Sequence, residues 1–132
     1  MEYLLDTNIC VFLLRGKYGI DEKIRGVGLN HCHISEITYA ELLFGIQRSK
    51  AKEENRRVLD ILIDSIDVIP ISEILEQYAI SKDILWENGT PVDDFDLLIG
   101  VTAVSRNMVM VTENMKHFIN IPDIQLQNWV KR

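Results

Sequence analysis

Four short apolar runs, at Tyr3–Leu5, Cys32–Ile34, Val68–Ile71 and Met108–Val111, are separated by segments of helical length. This alternation restricts the folds open to the chain more than any other feature. Runs this short cannot be helices and read as strands buried on both faces, the signature of parallel sheets. The predicted fold is therefore α/β, a mostly parallel sheet of four to five strands with helices on both faces. In such sheets ligands bind where strands end at their carboxyl ends.

The segments between the runs carry helical periodicity. A first helix is expected over Thr7 to Arg15 and a second over Asp21 to Val27. Ser35 can cap a third, with Ile37, Ala40, Phe44 and Gln47 spaced as one face, and Lys50 to Asp64 reads as amphipathic with Val58, Leu59, Leu62 and Ile63 inward. Pro70 marks an edge strand or a strand end. From Ser72 the apolar side is Ile74, Leu75, Tyr78, Ile80 and Leu85, stopping at Asn88-Gly89. Asp93 to Arg106 is apolar almost all round from Phe95 onward and should be buried against the sheet. A turn near Met115 to Phe118 and a last strand near Ile124 to Leu126 complete the pattern.

At 132 residues the chain suits one core, so residues 1–132 are expected to form a single domain. Hydrophobic residues at 47% and charged ones at 26% exclude the disordered and fibrous classes. Cys10 and Cys32 lack a C-x-x-C spacing and are expected as buried free thiols, in keeping with a reducing cytoplasm. Glu2 and Asp6 interrupt the amino terminus before any signal-length apolar run, and nothing is long enough to span a bilayer, so neither export nor a membrane partner is expected. The formal charge of -6 opposes nonspecific attraction to a polyanion. That objection weakens if several acids converge on a divalent cation, which cancels part of their charge.

Asp6 follows the first apolar run and sits at a strand's carboxyl end, either as a helix N-cap or as a carboxylate facing the crevice. Glu41 lies four residues after Ile37 and three before Phe44, so it emerges from an apolar stripe and requires a basic partner or a bound cation. Asp93, Asp94 and Asp96 crowd one helical first turn. The helix dipole accounts for Asp93 or Asp94, whereas Asp96 shares a face with Ile99, Gly100 and Ala103 and points inward. Glu113 and Asn114, after another strand, are either ordinary loop residues or further oxygen donors. Converging carboxylates raise one another's pKa unless a cation sits between them. Oxygen donors without thiolate or imidazole suit Mg²⁺ or Mn²⁺.

The opening L-L-D-T-N, S-E-I-T-Y-A-E-L-L-F-G around Glu41, G-T-P-V-D-D-F-D-L-L-I-G with Asp96, and V-T-E-N-M-K-H-F followed by I-P-D-I-Q-L-Q-N-W together resemble a PIN domain. More narrowly they are similar to the VapC toxins of type II toxin-antitoxin systems, nearly end to end. The resemblance implies a three-layer PIN-like sandwich and a Mg²⁺- or Mn²⁺-dependent endoribonuclease acting on tRNA or other structured RNA, inhibited by a cognate antitoxin, with homodimerisation. Asp6, Glu41 and Asp96 match the family's three acids. Its fourth acidic position falls on Asn114, with Glu113 adjacent, which leaves one metal or two open. Gly100 replaces a frequent alanine and is expected to tighten helix packing. Asn8 and Thr112 are expected to hold carboxylates or waters around the metal.

Other features carry less. His31 and His33 flank Cys32 but lack a four-ligand zinc set, and His117 reads either as a residue near the rim or, as a lone histidine, as a surface residue rather than a base. Arg48, Lys50, Lys52, Arg56 and Arg57 form either a solvated face or, at Arg48, an RNA-contacting ridge. A dehalogenase-like phosphatase needs an acid two positions after Asp6, where Asn8 stands, and a receiver domain needs a lysine after a late strand. A catalytically silent PIN-like binding module and a metal-dependent phosphohydrolase are the alternatives to a nuclease.

Overall fold

A computed structural model describes residues 1–132. Five strands, β1 (Tyr3–Leu5), β2 (Cys32–Ser35), β3 (Asp67–Ile69), β4 (Val109–Val111) and β5 (Leu126–Gln127), form one sheet in the order β3-β2-β1-β4-β5. Every pairing is parallel. From β1 the chain moves outward through β2 to β3, then returns to the other side of β1 for β4. The winding direction therefore reverses between β1 and β4, where α/β sheets open a crevice at their carboxyl ends.

Six helices connect the strands: α1 (Thr7–Leu14), α2 (Ile20–Val27), α3 (Glu36–Gln47), α4 (Lys52–Ser65), α5 (Leu75–Glu87) and α6 (Asp94–Ser105). The two-residue period of β1 divides the core. Leu4 packs with residues of α5 and α6, whereas Leu5 packs with residues of α1 to α4. Strand β4 repeats the division in register, Met110 beside Leu4 and Val111 beside Leu5. All four side chains are fully buried, worth about 1.5–3 kcal/mol each relative to exposure. Pro70 ends β3, an edge strand, and opens a 3₁₀ turn at Ile71–Glu73, which delays α5 from the expected Ser72 to Leu75.

The expected face of α3 is rotated in the structure, and single apolar residues of α4, α5 and α6 face outward. On α3 the inward residues are Ile37, Thr38 and Leu42, while Ala40, Phe44 and Gln47 lie outward, Phe44 with 67% exposure. The expected face is wrong by about a third of a turn because Phe44 is apolar without being buried. Leu75 and Ile80 on α5 are exposed, and Ser81 takes an inward place beside Leu85. On α4, Leu59 and Leu62 are buried as expected but Val58 is exposed. Phe95, expected inside, is half exposed at the start of α6. Periodicity identifies a helix, but its rotation is set by what the sheet and neighbouring helices leave uncovered.

Cys10 and Cys32 are buried free thiols. No helix is long and apolar enough to cross a membrane. At the amino-terminal edge of the sheet, His31 Nδ1 and His33 Nε2 meet the two carboxylate oxygens of Glu2 at 2.6 and 2.8 Å.

Candidate active site

Asp6 is the residue at which β1 gives way to α1. Its extended backbone stays in the ladder, N–H to the Val111 carbonyl at 2.9 Å, while its side chain turns to α1 and accepts from the Thr7 N–H at 2.8 Å. The second carboxylate oxygen accepts from the Thr112 hydroxyl at 2.8 Å, and that hydroxyl in turn accepts from the Asn114 N–H at 3.0 Å. Thr112 directly follows β4, so the two ends that flank the winding reversal are tied together through Asp6. The helix cap and the crevice carboxylate, alternatives from sequence, are the same group.

Glu41 reaches this point from α3. Its Oε1 accepts from the Thr7 hydroxyl at 2.6 Å. The Thr7 oxygen also lies 3.1 Å from the Thr38 hydroxyl. One hydroxyl has one proton, so Thr7 spends it on Glu41 and Thr38 must donate in the second contact. Asp96 enters from the first turn of α6, partly exposed, with Oδ2 3.4 Å from His117 Nδ1.

The electrostatics record the crowding. Desolvation, opposed by hydrogen bonds from Thr112 and Thr7 and reinforced by the charges of Asp96 and Glu41, raises the Asp6 pKa from 3.8 to about 6. Asp96 is also pushed up, chiefly by burial, with Asp93 and Glu41 adding repulsion and His117 opposing it. No lysine or arginine forms an ion pair with Asp6, Glu41 or Asp96. The basic partner that would explain Glu41 structurally is therefore missing, and the oxygen-rich donor set fits a hard divalent cation. No three His, Cys, Asp or Glu side chains are arranged to enclose an ion. Such a cation would keep water among its ligands, as Mg²⁺ commonly does.

The fold departs from expectation around this centre. Asp93 makes no side-chain cap, and Asp94 instead staples α6 to α5 through Lys82 Nζ at 2.8 Å and the Tyr78 hydroxyl at 2.7 Å. The Glu113 carboxylate pairs with Arg132, which stacks over Tyr18, so Glu113 is engaged away from the three acids. Asn114 is exposed and opens a 3₁₀ turn, Met115–His117. Asn8 Oδ1 lies 3.5 Å from the Glu113 N–H and helps hold that loop. Arg48 is exposed at the end of α3, without an ion pair, whereas Arg56 is tied to Asp60 at 3.0 Å. A groove of about 210 Å³ adjoins Glu41 between α1 and α4, lined by Val11, Leu14, Leu42, Ile46 and Val58 and by the polar Arg15, Ser49 and Asn55. A larger depression of about 530 Å³ over α4 is lined by charged side chains and by none of the three acids.

A family description of the PIN domain matches residues 3–123. The chain belongs to the PIN domain family. Ribonuclease VapC2 of Rickettsia felis is 37% identical, with 99% of this chain and 100% of that protein covered. The tRNA(fMet)-specific endonuclease VapC of Salmonella typhimurium is 34% identical, with 98% of each covered. Among solved structures, VapBC2 of Rickettsia felis bound to a DNA fragment from its promoter superposes with a TM-score of 0.89 at 33% identity, over 98% of this chain and 99% of that one. Within the PIN domain family the chain thus falls among the VapC toxins of toxin-antitoxin systems.

Several residues that shape this PIN domain's crevice escaped the sequence. Thr7 was visible only as the start of the first helix, and its bond to Glu41 spans 34 positions. Thr38 and Arg132 carried no signal. His117, expected either near the rim or on the surface, has a 59% exposed side chain and faces Asp96.

Proposed function

We propose that the protein is a Mg²⁺- or Mn²⁺-dependent endoribonuclease that hydrolyses phosphodiester bonds in tRNA or another structured RNA, with Asp6, Glu41 and Asp96 as its catalytic and metal-binding residues. The observation that carries this is the convergence of three carboxylates, one buried and with a raised pKa, where the sheet's winding reverses and where none of the three forms an ion pair with a lysine or arginine. The relatives named for ribonuclease and tRNA(fMet) endonuclease activity support the substrate class.

The bound ion would supply a more acidic water and charge neutralisation at the phosphoryl oxygens. Thr112 and the Thr7 amide fix the Asp6 carboxylate between β1 and β4. The Thr7 hydroxyl, backed by Thr38, holds Glu41 Oε1 and leaves Oε2 to accept from a water. Asp96 approaches from the opposite helix layer, so oxygen donors reach the crevice from β1, α3 and α6. Asn8 and Thr112 order the 112–114 loop, on which Asn114 occupies the fourth position. Glu113, paired with Arg132, contributes charge balance rather than a ligand. Arg48, exposed at the end of α3, would contact RNA phosphate.

Residues 1–132 act as one cytoplasmic domain, restrained by a cognate antitoxin, and form a homodimer. The VapBC complexes among the structural neighbours support the antitoxin. The activity is tested by incubating purified protein with total cellular RNA in Mg²⁺ or Mn²⁺ and in chelator, alongside Asp6→Asn. Cleavage is expected only for the parent with metal; cleavage that survives either the chelator or the substitution defeats the proposal.

A further inference from the structure

We propose that His117 is a nitrogen donor to the cation held by Asp96, and that this pair makes the site select Mn²⁺ over Mg²⁺. The assignment rests on the metal-dependent activity proposed above and adds to it a ligand and an ion preference.

His117 Nδ1 and Asp96 Oδ2 are 3.4 Å apart. Two donors each about 2.1 Å from one ion lie about 3.0 Å apart at a right angle and about 3.4 Å apart at the tetrahedral angle. The observed separation lies at the long end of the range that two donors to one ion span, and it is longer than a good N–H···O hydrogen bond. Both groups are accessible to solution, with side-chain exposures of 59% for His117 and 27% for Asp96.

The packing that brings them together is specific. Asp96 and Gly100 are one turn apart on the same face of α6. A Cβ on Gly100 would stand 2.5 Å from Ile121 Cδ1 and 3.5 Å from Phe118 Cδ1. The bare glycine lets the segment after Asn114 lie directly on α6, and the fully buried Phe118 anchors it there. His117, adjacent to Phe118, is thereby carried to Asp96. The turn is closed by the His117 N–H bonding to the Asn114 carbonyl at 3.0 Å.

The chemistry sets the preference. Mg²⁺ favours oxygen ligands and retains its water, whereas imidazole suits transition ions, which bind mixed nitrogen and oxygen sites more tightly. The competing account is a plain ion pair, in which protonated His117 takes the place of a cation beside Asp96. The two differ in sign. If His117 is a ligand, removing it weakens Mn²⁺ binding; if it is a counter-ion, removing it strengthens binding of both ions.

The test is calorimetric titration of the full chain with Mn²⁺ and, separately, with Mg²⁺, comparing the parent with His117→Gln and His117→Ala. It is run at a pH above the ordinary imidazole range. Pulsed electron paramagnetic resonance on the Mn²⁺-loaded protein reads nitrogen coupling directly. The other two histidines are held on Glu2 at the opposite edge of the sheet, so a nitrogen signal reports His117. Expected are a loss of about tenfold in Mn²⁺ affinity, a change of less than about threefold for Mg²⁺, and disappearance of the coupling in both variants. Unchanged or tightened Mn²⁺ binding, or no nitrogen coupling in the parent, overturns the ligand assignment and leaves the metal nuclease standing. Failure of the parent to bind either ion, or binding indifferent to Asp6→Asn, overturns both.

Discussion

Replacing Asp6 with asparagine should make the metal-free protein more stable near neutral pH, even as it abolishes activity. The Asp6 carboxyl is 6% exposed and its pKa stands at about 6 in the folded protein against an ordinary 3.8. At about 1.4 kcal/mol per tenfold change in proton affinity, that difference costs the ionised native state about 3 kcal/mol. The sign follows from linkage. The unfolded chain releases the proton near 3.8 and the folded one near 6, so stability from this group is present below the lower value and lost as pH rises through the higher. Asparagine escapes the loss because it stays neutral. Its amide oxygen can keep the Thr7 N–H, and its amide nitrogen can donate to a reoriented Thr112 hydroxyl, a weaker contact than the charged one it replaces. A net gain of about 1–2 kcal/mol is expected at about pH 7.5 in chelator, vanishing and then reversing as pH falls toward about 4, where protonation relieves Asp6 of most of that penalty. Urea denaturation at several pH values measures it. Saturating Mn²⁺ should reverse the order, since only the parent gains binding free energy, about 2.7 kcal/mol at a hundred times Kd. A less stable variant in chelator, or a gap that does not change with pH, would falsify the account of Asp6 as a desolvated, repelled carboxylate and favour a purely structural cap.

Thr112→Val removes the hydroxyl that bridges Asp6 and the Asn114 N–H; a loss of about 1–3 kcal/mol is expected from thermal or urea unfolding, together with an upward move of the acidic limb of the pH–rate profile. Gly100→Ala sets a helix-propensity gain of about 1 kcal/mol against overpacking on Ile121 of about 1–3 kcal/mol, so unfolding should show a neutral to destabilised protein. Stabilisation by the full propensity gain would show that Ile121 yields freely. Arg48→Glu should weaken RNA binding in a filter or anisotropy assay and leave the melting temperature unchanged, because Arg48 is exposed and forms no ion pair; unchanged affinity removes Arg48 from the RNA contact.

Most of the fold was legible because its signals are local. Short apolar runs, the capping Ser35, Pro70 at the end of β3 and the buried stripe of α6 each act within a few residues, and the five-stranded parallel sheet follows from their alternation. Helix rotation was less legible. Phe44, Leu75 and Ile80 are apolar and exposed, and nothing within α3 or α5 distinguishes them from Ile37 or Leu85. Glu41 was singled out from a stripe that is rotated in the structure, yet it does lie half-buried between Ile37 and Leu42 on the true inner arc.

By itself the sequence determined which carboxylates stand at strand ends and helix starts, since Asp6 after Leu5 and Asp96 within the first turn of α6 are statements about neighbours. Only the tertiary structure decided what those carboxylates meet. Thr112 reaches Asp6 across 106 positions and Thr7 reaches Glu41 across 34, and neither bond has a local pattern to betray it. Glu113 pairs with Arg132 rather than with the acids, across 19 positions, and His117 is laid against Asp96 because a missing side chain at Gly100 lets Phe118 and Ile121 close on α6. Close packing, which ties each contact to distant parts of the chain, made those choices.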